Sequence, residues 1–153
     1  MEKKLIVLLG IPGSGKSTYA ANYASKNPET FIVASDAIRH ELFGRVDDFS
    51  QEEIVWAKFE NLVREKAKTH KTIIADSSAT TNVRRLRWAQ IFRDLFDKIE
   101  LVYFDIPFDI CLERNEKRHL TIPYSDMVVM RDSFEKPSQE VTSAYDEITR
   151  IKE

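Results

Sequence analysis

The sequence predicts an α/β fold built on a buried parallel sheet. Short apolar runs, rich in β-branched and aromatic residues, recur at 5–9, 31–34, 72–75 and 100–104, with a weaker one at 147–151. They do not alternate in polarity, as expected of strands covered on both faces. Amphipathic segments separate them, and strand–helix alternation implies right-handed crossovers. A third observation concerns backbone: of only four glycines in 153 residues, Gly10, Gly13 and Gly15 fall within six positions. A usual glycine share is about 7%, so a glycine-poor chain has gathered its glycines for one task.

Taken in order, the first apolar run, 5–9, reads as a strand, and 18–26 after the glycines as a helix. The second strand, 31–34, leads to Asp36 and Arg39, and Gly44 reads as a helix C′ residue. Ser50 with Glu53 has the spacing of a capping box. The helix after it places Val55, Phe59, Leu62 and Val63 on one side. The strand 72–75 ends at Asp76. A helix over 82–96 then points Val83, Leu86, Phe92 and Leu95 inward and Arg84, Arg85, Arg87 and Arg93 elsewhere. The strand 100–104 precedes a helix over 108–117, and a further helix covers 124–135, stopped by Pro137. With no repeat or linker, the chain reads as one domain over residues 1–153.

Lys and Arg number 23 against 25 Asp and Glu, a net charge of −2, with 42% hydrophobic and 31% charged residues. This is the balance of a soluble globular protein. It makes no global demand for a polyanionic partner, although a local basic patch stays compatible with one. Cys111 is the one cysteine, so neither an internal disulfide nor a thiol zinc site can be built. A reducing, cytoplasmic setting is expected, with Cys111 as a small buried hydrophobe. The longest apolar run is too short for a membrane span.

Residues 10–17 read Gly10-Ile11-Pro12-Gly13-Ser14-Gly15-Lys16-Ser17, followed by Thr18. They match G-x-x-x-x-G-K-[ST], the phosphate-binding P-loop, in its strand-to-helix context. Inward-facing N–H groups and the positive helix end bind phosphate oxygens there. Lys16 reaches the β- and γ-phosphates, and Ser17 ligates Mg²⁺. Nothing matches D-x-x-G or N-K-x-D, which speaks against a switch GTPase.

Ligands of open α/β sheets bind beyond the carboxyl ends of strands. Asp36 sits at such an end, where a carboxylate can take the proton of an acceptor hydroxyl. Arg39, three residues on, is placed to hold an anionic group of the acceptor. The competing reading is an N-cap aspartate beside a solvated arginine. Asp76 reads as a Walker-B-like carboxylate near Mg²⁺ or as a loop cap. Arg114 and Arg118, four apart, read as a triphosphate clamp or as a solvated helix end. Residues 119–123 then read as a short lid, and Arg131 as a weaker candidate.

GIPGSGKST, Ser35-Asp36-x-x-Arg39, Ile73-Ile74-Ala75-Asp76, Phe104-Asp105-Ile106-Pro107, Glu113-Arg114-Asn115-x-Lys117-Arg118 and Ile122-Pro123 together resemble the kinase domain of phage-type 5′-hydroxyl polynucleotide kinases. The tail, Phe134-Glu135-x-Pro137 with Glu140 and Tyr145-Asp146-x-Ile148, is similar to the wider group of zeta-toxin-like and chloramphenicol-phosphotransferase-like small kinases. The resemblance implies a three-layer P-loop NTPase fold, nucleoside-monophosphate-kinase-like, with a five-stranded parallel sheet and a lid at about 114–124. It implies ATP and Mg²⁺, held by Gly10, Pro12, Gly13, Ser14, Gly15, Lys16, Ser17, Thr18 and Arg114, with Ser17 and Asp76 at the metal. Asp36 is then the general base, Arg118 acts on the transferring phosphate, and Asp36, Arg39, Asp76 and Arg85 face the acceptor. No phosphatase domain is expected in the chain. The implied acceptor is the 5′-hydroxyl end of DNA or RNA, with Arg84, Arg85, Arg87 and Arg93 as a strand-tracking surface. A kinase of a small hydroxyl compound and an ATP-binding or ATP-hydrolysing regulatory module are the alternatives.

Overall fold

The computed structural model describes residues 2–46, 48–118 and 121–152. Its strands are β1 (Lys4–Leu9), β2 (Thr30–Ala34), β3 (Thr72–Asp76), β4 (Lys98–Phe104) and β5 (Glu147–Ile151). They form one sheet in the order β2-β3-β1-β4-β5, every neighbouring pair parallel. The helices are α1 (Lys16–Lys26), α2 (Ser35–Phe43), α3 (Glu52–Ala67), α4 (Asn82–Ile91), α5 (Phe108–Glu116), α6 (Tyr124–Ser133) and α7 (Gln139–Ala144). Among the described residues, no helix is long and apolar enough to cross a membrane.

β1 shows why its run is continuously apolar. Leu5, Val7 and Leu9 enter a large core with Val55, Phe59 and Val63 of α3 and Trp88 of α4. Ile6 and Leu8 enter a second core with Ala20 of α1, Ile74 and Val102. The period of two sends alternate side chains to opposite faces, and both faces are covered. β5 departs from this expectation: it is an edge strand, mostly exposed, with Ile148 38% exposed. Cys111 is buried beside Val46, Ile122 and Met127, and burial pushes its thiol up, which disfavours the reactive thiolate.

Three other expectations change. The box of Ser50 and Glu53 does not form, and α3 starts at Glu52 without a side-chain cap. Asp48 instead accepts from both the Ser50 amide at 3.0 Å and the Ser50 hydroxyl at 2.5 Å. A carboxylate two residues away out-competes the helix end for that hydroxyl. α4 stops at Ile91 rather than at 96, and Val83 is 80% exposed rather than inward. The face it turns to the core carries Arg85, Trp88 and Ala89. α6 ends at Ser133, and α7 was not foreseen.

Glu60, buried on α3, clamps α4. It accepts from Arg87 at 2.7 and 2.9 Å and from the Trp88 indole at 3.1 Å. Burial alone would raise its carboxyl, but these bonds together hold it below the usual carboxylate range. Glu60→Gln should therefore cost about 1.5–3 kcal/mol, the range for hydrogen bonds to a charged group. The depressed folded value means that this stability is present above the unfolded carboxylate range and fades as pH falls through the folded value. Urea unfolding of both proteins should show a gap at neutral pH that narrows in acid.

Candidate active site

The site lies at the carboxyl ends of β1, β2 and β3, where the chain turns into α1, α2 and the segment before α4. A cleft of about 390 Å³ is lined by Pro12, Gly13, Gly15, Lys16, Ser17 and Thr18 on one side. Asp36, Asp76, Arg114 and Arg118 face them, with Ala34, Ser35, Ser77 and Ser78. Gly10 and Ser14 belong to the loop but are not among the lining residues.

The loop needs its glycines. Gly13 has φ +85°, and a Cβ there would stand 2.3 Å from the Cys111 carbonyl oxygen of α5. Gly15, at φ +104°, caps α1 in the left-handed region that side chains rarely adopt. Lys16 is only 7% exposed, and its ammonium donates to the Gly10 carbonyl at 2.5 Å and to Ile11 at 3.3 Å. Burial pushes this ammonium below the usual lysine value, while Asp76 and Asp36 act against that. A cation held in a dry loop beside N–H groups is an anion site.

Ser17 donates to Asp76 at 3.0 Å. Burial raises the Asp76 carboxyl, with Lys16 and the Ser17 hydroxyl opposing. A hydroxyl and one carboxylate, both hard oxygen donors, fit Mg²⁺, which takes few protein ligands and leaves positions for phosphate and water. Asp76, at the end of β3, meets the Ser17 hydroxyl inside the cleft, a place compatible with the Walker-B-like reading.

Asp36 lies inside the first turn of α2, whose N-cap is Ala34, so it is not the cap. Its side chain is 32% exposed toward the cleft, with Arg118 at 3.6 Å from one oxygen and Arg39 at 3.0 Å from the other. The Ser35 hydroxyl accepts from the Ser78 amide at 3.1 Å, which ties the Asp36 corner to the segment after β3. Arg114 reaches the Gly13 carbonyl at 3.5 Å. Asn115, buried on α5, donates to the Ile122 carbonyl at 2.7 Å and accepts from its amide at 3.1 Å. This fastens the far end of the expected lid, of which His119 and Leu120 lie outside the described residues.

Two expected acceptor residues are elsewhere. Arg39 is completely buried and does not line the cleft. Its fork is held by Glu52 at 2.6 and 3.1 Å, between the rings of Phe49 and Trp56. Arg85 is 1% exposed, bonded to Asn82 at 2.9 Å and to the Glu135 carbonyl, and stacked on Phe134. Burial pushes its guanidinium down to about 10. It anchors α4 to the chain before α7 and does not line the cleft. The expected basic track is likewise tied into the fold: Arg84 and Arg87 pair with Glu60, and Arg93 with Asp146. Arg131 stacks on Phe108 at 4.5 Å, away from the phosphate cleft. Ser35, Ser77 and Ser78 were missed, although their place just after β2 and β3 was the available signal.

Residues 5–137 match the family model described as AAA domain. The chain is 28% identical over 137 residues to the L-seryl-tRNA(Sec) kinase of Methanococcus maripaludis, covering 87% of this chain and 53% of that protein. It thus spans about half the length of the curated relative it matches. A chain of the Pnkp1/Rnl/Hen1 complex is similar with a TM-score of 0.60 and 26% identity, over 81% of this chain and 42% of that one. Kti12 of Chaetomium thermophilum, solved with ADP-AlF3, superposes with a TM-score of 0.72 at 16% identity, over 97% and 88% of the two chains. That last likeness is one of fold.

Proposed function

The chain belongs to the AAA domain family whose model spans residues 5–137, and from that premise we propose that it is an ATP- and Mg²⁺-dependent kinase of a hydroxyl acceptor. The observation that carries the reading is Asp36, which faces the same cleft as Lys16, Ser17 and Asp76. A carboxylate at that place can orient an acceptor hydroxyl and take its proton.

Lys16 and the N–H groups of the loop bind the β- and γ-phosphates. Ser17 and Asp76 would hold Mg²⁺, which would neutralise charge on those phosphates when bound. Asp36 accepts a hydrogen bond from the acceptor hydroxyl and takes its proton as the oxygen–phosphorus bond forms. The bond from the γ-phosphorus to the bridging oxygen breaks, and ADP leaves with that electron pair. Arg118 and Arg114, which line the cleft, stabilise the charge that spreads over the transferring group.

Two readings of the acceptor rest on different observations. A nucleic-acid end is supported by the resemblance to 5′-hydroxyl polynucleotide kinases and by a relative named for a tRNA-borne seryl hydroxyl. A small hydroxyl compound is favoured by the burial of Arg39 and the partners of the other arginines. The test is label transfer from γ-labelled ATP to a panel of 5′-hydroxyl oligonucleotides, nucleosides, sugars, aminoglycosides and chloramphenicol. Label is expected on at least one hydroxyl compound. Steady release of inorganic phosphate with no labelled acceptor would favour a regulatory ATPase.

A further inference from the structure

We propose that Glu52 determines acceptor specificity by occupying the fork of Arg39, so that the site takes a compact hydroxyl compound with no phosphate beside the reacting hydroxyl. The inference rests on the kinase reading and narrows its acceptor.

A planar guanidinium presents paired N–H donors that match either a carboxylate or a phosphate, two ligands that compete for one geometry. Here the carboxylate has won. Arg39 donates through Nη2 and Nε to the two oxygens of Glu52, at 2.6 and 3.1 Å. Its remaining nitrogen, Nη1, donates to Asp36 at 3.0 Å and to the Ser35 hydroxyl at 3.5 Å. Rings cover it, with Phe49 at 4.7 Å and Trp56 at 5.6 Å from the guanidinium carbon, and no part of Arg39 is exposed. An acceptor phosphate would have to displace Glu52 and open this aromatic sandwich. Breaking a bidentate pair that is buried on the arginine side opposes that exchange.

The space beside the catalytic cleft has the same character. A second cavity of about 290 Å³ shares Ser78 with the cleft and is lined by Phe49, Glu52, Thr80, Asp126 and Met130 among others. Among the described residues, no lysine or arginine lines it. Asp126 makes no side-chain hydrogen bond or ion pair among the described residues, so the wall offers an acceptor body a carboxylate, hydroxyls and apolar surface. A phosphate placed there would meet like charge, which costs affinity. A neutral or amine-bearing hydroxyl compound would not.

The experiment uses γ-labelled ATP and two matched acceptor pairs, thymidine with thymidine 3′-phosphate and glycerol with glycerol 3-phosphate. The wild type should phosphorylate the phosphate-free member of a pair at least as efficiently as its partner. Glu52→Gln frees one arm of the fork and should raise the phosphate-bearing to phosphate-free ratio of kcat/KM at least about tenfold, the scale of one charge-assisted hydrogen bond. A merely structural role for Glu52 would lower both rates and leave the ratio alone. A wild-type preference for the phosphate-bearing member, or an unchanged ratio in Glu52→Gln, overturns the inference and leaves the kinase reading standing. Should the variant not fold, the wild-type ratio decides alone. Label on neither pair, with ATP turning over to ADP and inorganic phosphate, overturns the inference and counts against the kinase reading as well.

Discussion

Asp36→Asn is expected to keep ATP binding and to slow phosphoryl transfer by roughly 10²–10⁴-fold, the usual contribution of a general base. The amide keeps the shape of the carboxylate and one acceptor oxygen, but it cannot take the hydroxyl proton. Arg39 and Arg118 approach the two oxygens at 3.0 and 3.6 Å, so the side chain is oriented before any acceptor arrives. The loss should fall on kcat, with the Kd for ATP little altered, because the ion-pair partners of this carboxylate, Arg39 and Arg118, lie outside the phosphate loop. Single-turnover transfer measured beside equilibrium nucleotide binding separates the two. Unchanged transfer would mean that another group takes the proton.

The second large effect belongs to Lys16. Lys16→Met should reduce transfer by about 10²–10³-fold or more, as expected on removing a charge aimed at the transferring group. It should do so without a matching loss of stability. The wild-type ammonium is 7% exposed and held by the carbonyls of Gly10 and Ile11, and burial works against its charge. An unbranched apolar side chain fills the same channel without that desolvation cost. The Tm of the nucleotide-free variant should thus match or exceed that of the wild type while activity collapses. A parallel fall in Tm and activity would instead make Lys16 a structural residue. Charge retained at a thermodynamic cost in a cleft marks function.

Much of the fold was legible because one pattern repeats. Runs such as 5–9 and 73–75 are apolar at every position because both sheet faces are covered, and that cannot be confused with an alternating surface strand. β5 was legible as a strand but not as an exposed edge, because its sequence says nothing of what packs beside it. The loop from Gly10 to Ser17 was legible because its chemistry is carried by local backbone geometry. Asp36 and Asp76 followed from the rule that sites gather at strand ends.

The arginines were the least legible part of the sequence. Arg39, Arg84, Arg85, Arg87 and Arg93 read as outward cations available to a nucleic acid. Their partners, Glu52, Glu60, Glu135 and Asp146, lie 13 to 53 residues away, from Arg39 with Glu52 to Arg93 with Asp146, and Glu135 pairs with Arg85 through its backbone carbonyl. Local spacing holds no record of pairs closed by tertiary folding. Arg85 shows the extreme, a guanidinium stacked on Phe134 inside the protein. The Ser50 box failed for a related reason: Asp48 was a closer acceptor than the helix end.

On the proposed function, the cleft passes the γ-phosphoryl group to a hydroxyl poised against Asp36. The most direct measurement is the fate of that phosphoryl group in a single turnover with Mg²⁺, with and without an acceptor identified from the panel, in wild type and Asp36→Asn. The acceptor should accelerate ADP formation, label should appear as a phosphate ester of its hydroxyl, and Asp36→Asn should abolish the acceleration while still binding ATP. ADP formation at one rate with or without any acceptor, with all label in inorganic phosphate, would contradict that function.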